Sequence, residues 1–132
     1  MTQIRYSTAG IEAPRRFDYW NDVVCRHCVP AASQMLTDAA FDADLGVYAV
    51  GAVHVSTMTA PKHHWVRDPL HLRRGPDDDM WIACMADGQG LVSQEGRQAS
   101  LGAGDIVLYD AGRPFHFTLA AQKIYLLRLP RR

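Results

Sequence analysis

An excess of charge of either sign is missing from this sequence: 14 lysines and arginines stand against 14 aspartates and glutamates, for a formal net charge of zero. A nucleic-acid-binding surface draws its affinity from neutralised phosphates and released counterions, so the chain alone is expected to bind DNA poorly. Long apolar runs are missing too. No stretch approaches the ~20 residues of a membrane span, and Met1 to Gly10, with a lone Arg5 and no apolar core, does not read as a signal peptide. A cytoplasmic protein without membrane association is expected. Cysteine is scarce and odd in number, and Cys25, Cys28 and Cys84 suit thiols in a reducing compartment better than a disulfide framework. No serine sits in a Gly-x-Ser-x-Gly elbow and no glycine-rich loop opens a helix, which removes two common catalytic signatures.

What is present suits one domain spanning 1–132, because 132 residues bury one modest core and no more. Phe17, Trp20, Val24 and Cys28 recur at helical spacing, behind Pro14 and ahead of Pro30; they predict one amphipathic helix over about residues 14–28. The opposite face, with Arg15, Asp18, Asp22 and Arg26, reads as solvated. From about Asp44 to Leu129 the period changes to two, which predicts about eight short strands forming a sandwich or closed barrel. The expected strands are Val47–Met58, His63–Arg67, Met80–Met85, Leu91–Gln94, Gln98–Leu101, Ile106–Tyr109, Phe115–Leu119 and Lys123–Leu129. Turn residues separate them at Gly75-Pro76-Asp77, Asp87-Gly88, Glu95-Gly96, Gly102-Ala103-Gly104 and Ala111-Gly112-Arg113-Pro114. The run Asp77-Asp78-Asp79 beside Arg73 and Arg74 reads as a solvated loop.

The stretch Leu101 to His116 resembles the second sequence motif of cupins: Gly104 supplies a backbone angle that other residues avoid, and the Asp105 carboxylate caps the turn. Over nearly its whole length the chain also resembles the N-terminal domain of a subgroup of AraC-type bacterial transcription regulators. The resembling segments are Arg16-Phe17-Asp18-Tyr19-Trp20, Val23-Val24-Cys25, Phe41-Asp42-Ala43, Gln94-Glu95-Gly96-Arg97, Gly104-Asp105, Tyr109-Asp110, Arg113-Pro114 and Leu127-Arg128-Leu129-Pro130. The resemblance implies a mainly β, cupin or jelly-roll barrel with one N-terminal amphipathic helix. It also implies an effector-binding or dimerising role and no catalysis, with DNA reached through helix-turn-helix units that this chain does not contain. A fragment and a naturally short relative both fit.

If the barrel takes a small effector, its pocket is expected to be mostly apolar with a few polar groups. Trp65, Trp81, Tyr109 and Phe115 are the stacking candidates, and His64, Gln94 and His116 the hydrogen-bonding ones. Ordinary barrel core competes with the binding role for each aromatic residue. Arg97 and Arg113 are expected in structural ion pairs with Asp110 or Asp105. Neither a metal nor another cofactor is expected, because neighbouring His63 and His64 point to opposite faces of a strand and no glutamate completes a ligand set with His116. Cys25-Arg26-His27-Cys28 lacks a second ligand pair and reads as packing. Two rival readings stay open: a metal-dependent small cupin enzyme of dioxygenase or isomerase type, and a structural dimerisation barrel with a collapsed interior. A homodimer is expected in the sensor reading as well.

Overall fold

The computed structural model describes residues 3–37, 40–74 and 78–131; the turn expected at Gly75-Pro76-Asp77, and with it the first member of the acidic run, lies outside them. Among the described residues eight strands occur: β1 (Gln3–Ser7), β2 (Ala32–Met35), β3 (Asp44–Val50), β4 (Val53–Arg67), β5 (Met80–Gln94), β6 (Arg97–Leu101), β7 (Ile106–Asp110) and β8 (Phe115–Leu129). Helix α1 covers Arg16–His27, entered through a 3-10 turn at Ala13–Arg15, and the short α2 covers Pro69–Arg73. All strand pairings are antiparallel. The fold is mainly β, a cupin-like jelly roll with one N-terminal amphipathic helix.

Strands β4, β5 and β8 each run for 15 residues and lie side by side in the order β4-β8-β5. Each changes face midway. In β8 the buried residues are Phe115, Phe117, Leu119 and Ala121, then Ile124 and Leu126; in β4 they are Ser56, Met58 and Ala60, with Val55 buried on the opposite parity, then His63, Trp65 and Arg67; in β5 they are Trp81, Ala83 and Met85, then Val92. Register shifts fall at the same level, between Met58 and His63 in β4 and between Met85 and Gly88 in β5. A bulge of this kind bends a strand and swaps which side chains face inward. The long strands therefore contribute to two half-sheets, one ordered β1-β3-β4-β8-β5-β7 and the other β2-β4-β8-β5-β6. These face each other across the core: Tyr109 of the first makes edge contacts with Phe115 and Phe117 of the second, at ring centroid distances of 5.0 and 5.7 Å.

Several expectations are corrected here. Of the eight expected strands, Gln98–Leu101 and Ile106–Tyr109 stand to within one residue as β6 and β7; the others differ because the three long strands merge pairs of predicted segments across the bulges, while Gly51 at φ 61° turns the chain inside the expected Val47–Met58 strand. Strands β1 and β2 precede residue 44, where strands were expected to begin; their burial patterns show mostly exposed residues and so no apolar alternation. Closure is also different. The hydrogen-bonded ladder ends at β1 and β6 and does not close on itself among the described residues. Pro61 sits within β4 inside the register shift, where its missing N–H removes no ladder bond. As expected, Gly104 takes a positive φ of 89° and the Asp105 carboxylate accepts from the Gly102 N–H at 2.7 Å.

Candidate functional site

Helix α1 lays Trp20, Val23 and Val24 against the open side of the two half-sheets. Several polar contacts fix that seat. The Trp20 indole N–H donates to Nε2 of fully buried His63 at 3.1 Å. An indole nitrogen is a donor only, so His63 must keep its Nε2 lone pair for it and donate from Nδ1 to the Pro61 carbonyl at 2.8 Å. Burial holds this imidazole well below its usual range, at about 4, and it is neutral at physiological pH. At the other end of α1, Arg128 donates to the carbonyls of Cys28 (2.5 Å) and His27 (3.4 Å), capping the negative end of the helix. Its guanidinium also lies 5.2 Å above the ring centre of Trp81. Arg67, buried in β4, donates to the carbonyls of Pro30 and Ala111 and so ties the segment after α1 to the β7–β8 turn.

Between the half-sheets lies a cavity of about 40 Å³. One wall is Val24, Cys28, Val29 and Ala31, from α1 and the segment after it; the remainder is Met58 and Trp65 of β4, Tyr109 of β7, and Phe115, Phe117, Leu119 and Leu126 of β8. The lining is uncharged. Its polar side-chain groups are the Tyr109 hydroxyl, the Cys28 thiol and the Trp65 indole N–H. Burial pushes the pKa values of Tyr109 and Cys28 up, that of Cys28 to about 11, so each is protonated at neutral pH. The Cys28 thiol lies 3.8 Å from the Ser56 hydroxyl. The chemistry of this lining is that of an uncharged, largely apolar surface with few hydrogen-bonding groups.

Three of the sequence candidates, Trp65, Tyr109 and Phe115, meet in this cavity. Trp81 is buried but lies beneath Arg128, away from the lining. Gln94 is a brace: its Nε2 donates to the Asp110 carbonyl at 2.7 Å and its Oε1 accepts from the Asp110 N–H at 2.9 Å, which holds the β7–β8 turn. His64 and His116 point outward on the second half-sheet, opposite Trp65 and Phe117, with His64 Nε2 and His116 Nδ1 3.2 Å apart. Partial burial, and then the neighbouring His116, hold His64 below its usual range. Arg113 pairs with Asp110 at 3.4 Å and Glu95 at 3.6 Å, in line with the structural role expected of it. The half-site that pattern reading missed is the helical wall. Val24 and Cys28 stood out only as a buried stripe, and nothing in their spacing separates packing on a barrel from lining a cavity.

Among the described residues, no three His, Cys, Asp or Glu side chains converge as a metal-ligand set. Inside the core, His63 could serve only by giving up the Trp20 bond.

A family model described as an AraC-binding-like domain matches residues 20–132. A protein encoded in the nit 5' region of Bacillus sp. (strain OxB-1) is 28% identical over 126 residues, covering 94% of this chain and 48% of its own length. The transcriptional activator NphR of Rhodococcus is 34% identical over 77 residues, 58% of this chain and 23% of that protein. Among solved structures, the AraC-like transcriptional activator CuxR superposes with a TM-score of 0.86 at 16% identity, over 98% of this chain and 47% of the CuxR chain. The chain thus spans about half the length of the Bacillus relative and of CuxR.

Proposed function

Because the chain belongs to the family of AraC-binding-like domains, the sensor-type domains of AraC-family transcription regulators, we propose that its interior cavity is an effector site whose occupancy is reported by movement of α1. The effector is a small, uncharged, mostly apolar molecule with one hydrogen-bonding group. DNA is reached only through a DNA-binding unit outside this chain, two copies pair in the working regulator, the protein works in the cytoplasm, and the domain performs no catalysis.

The observation that carries this reading is the division of the cavity wall. A volume of about 40 Å³ is far below the ~150 Å³ that holds benzene or the ~300–1,000 Å³ typical of small-molecule sites. A ligand of aromatic size must therefore displace part of the lining. The β4 and β8 residues are fixed by ladders on both sides and Tyr109 by the ladder of β7 to β5, whereas Val24, Cys28, Val29 and Ala31 belong to one helix and its exit, held by a few side-chain bonds. A ligand that favours the displaced wall over the seated one shifts the population between them, which is what a sensor requires.

The test is to titrate ¹⁵N-labelled protein with phenol. The expected result is amide shifts concentrated at Val24, Val29, Ala31 and Tyr109, and their loss in Ala31→Leu, which fills the cavity. Shifts confined to the outer faces, or an unchanged response in Ala31→Leu, would overturn the assignment. Light scattering on the same samples tests the pairing of two copies.

A further inference from the structure

Outside the cavity, the second half-sheet carries a pair of side chains that the sensor reading does not use. We propose that His64 of β4 and His116 of β8 form a two-histidine site for a borderline transition-metal ion of the zinc(II) or nickel(II) class. Water completes the coordination.

The geometry is already close to what such an ion needs. His64 Nε2 and His116 Nδ1 are 3.2 Å apart, and an ion about 2.0–2.1 Å from each would subtend an angle of roughly 100–106°, near the tetrahedral value. The two ring centres are 5.3 Å apart, close to the about 5 Å that two imidazoles sharing one ion at that angle would show. A partner for the back of one ring is in place as well. His64 Nδ1 lies 2.6 Å from the Thr118 hydroxyl, and with Thr118 accepting from Nδ1–H the tautomer is fixed and the Nε2 lone pair is left for the metal, as in established histidine sites.

Proton bookkeeping closes without an added reagent. In the metal-free pair, His116 Nδ1–H donates to His64 Nε2. On binding, His116 exchanges its proton with solvent from Nδ1 to Nε2, which frees Nδ1 as the second ligand while both rings stay neutral. Imidazole nitrogens favour zinc, nickel and copper over magnesium or calcium. The scaffold is rigid: both histidines lie on long central strands at register-paired positions, His64 opposite Thr118 and Val66 opposite His116. The flanking paired residues, Gln34 on β2 and Leu91 and Ser93 on β5, bring no charge against the ion. An ion here staples β4 to β8 on the outer side of the wall whose inner side is Trp65, Phe117 and Leu119.

The experiment is isothermal titration of the chelator-treated full chain with zinc chloride and, separately, nickel chloride. One ion per chain is expected. His64→Ala and His116→Ala should each weaken binding at least ~10-fold, and Thr118→Val should weaken it less than either while leaving the fold unchanged by circular dichroism. His54→Ala, on the other half-sheet, should bind like the parent. Paramagnetic nickel should broaden the imidazole proton signals of His64 and His116 ahead of those of the other histidines. Failure of the parent chain to bind either ion at submillimolar concentration would overturn the proposal, and so would parental affinity in both histidine variants. Neither result touches the cavity assignment, which the phenol titration reads separately.

Discussion

Acid should weaken this fold through one side chain in particular. His63 is neutral when folded, at about 4 against an ordinary value of 6.5, because burial disfavours its charged form and its Nε2 is committed to Trp20. In the unfolded chain it protonates near its ordinary value. Between the two values the unfolded state binds the extra proton, so the stability His63 contributes is complete above about pH 6.5 and is lost as the pH falls toward about 4. At 1.36 kcal/mol per pKa unit, the loss between about pH 7 and about pH 4.5 comes to about 2 kcal/mol. His63→Gln isolates this effect, since the glutamine amide can accept from the Trp20 indole and donate to the Pro61 carbonyl without titrating. Urea unfolding of both proteins, followed by tryptophan fluorescence in EDTA-containing buffer at the two pH values, gives the comparison. Carboxylates and the other histidines contribute equally to both and cancel. The parent should lose about 2 kcal/mol more than the variant over this interval. Equal losses would refute the claim that His63 is held neutral in the core.

Other perturbations separate the remaining parts of the design. Arg128→Met keeps much of the side chain's bulk over Trp81 but removes the donors to the Cys28 and His27 carbonyls; a loss of about 1–3 kcal/mol is expected by urea unfolding. Gly88→Ala should destabilise severely or prevent folding, since a Cβ there would lie 2.4 Å from the Ala120 carbonyl oxygen at a φ of 138°. Gly10→Ala, with open space around it, should stay within about 0.5 kcal/mol of the parent in the same assay. Phe117→Ala should cost about 3–5 kcal/mol and enlarge the existing cavity, so that benzene raises the melting temperature of the variant more than that of the parent.

Much of the fold can be read from local chemistry, as Gly104-Asp105 and the α1 stripe show. The Glu95-Gly96 turn is equally legible: both residues adopt positive φ, 55° and 74°, in the tight hairpin that their identities suggest. The long strands are not legible in the same way, and the reason is physical. Alternation is a valid guide only while the pleat is unbroken, and in β4, β5 and β8 the inward set jumps from one parity to the other at the bulge. A period-two pattern then ends and restarts, so each strand looks like two. The same jump decides the site: Trp65 and Phe117 face the cavity while His64 and His116, their immediate neighbours, face out. Choosing between those faces needs the cross-strand register, which a one-dimensional pattern does not contain. The proximity of His64 to His116 is a product of pairing residues 52 positions apart.

The position of β8 has a consequence for how the molecule is made. The strand of this fold that comes last in sequence is inserted between β4 and β5 and belongs to both half-sheets, so the earlier strands have no complete surface to assemble on until β8 is available. Until then Trp65, Trp81 and Met58 lack the neighbours that cover them, and the nascent chain carries exposed apolar strands with open edges, the species most prone to aggregate or recruit chaperones. Its folding is correspondingly a concerted event governed by distant pairings, and loss of β8 removes the keystone of the domain, not an ornament.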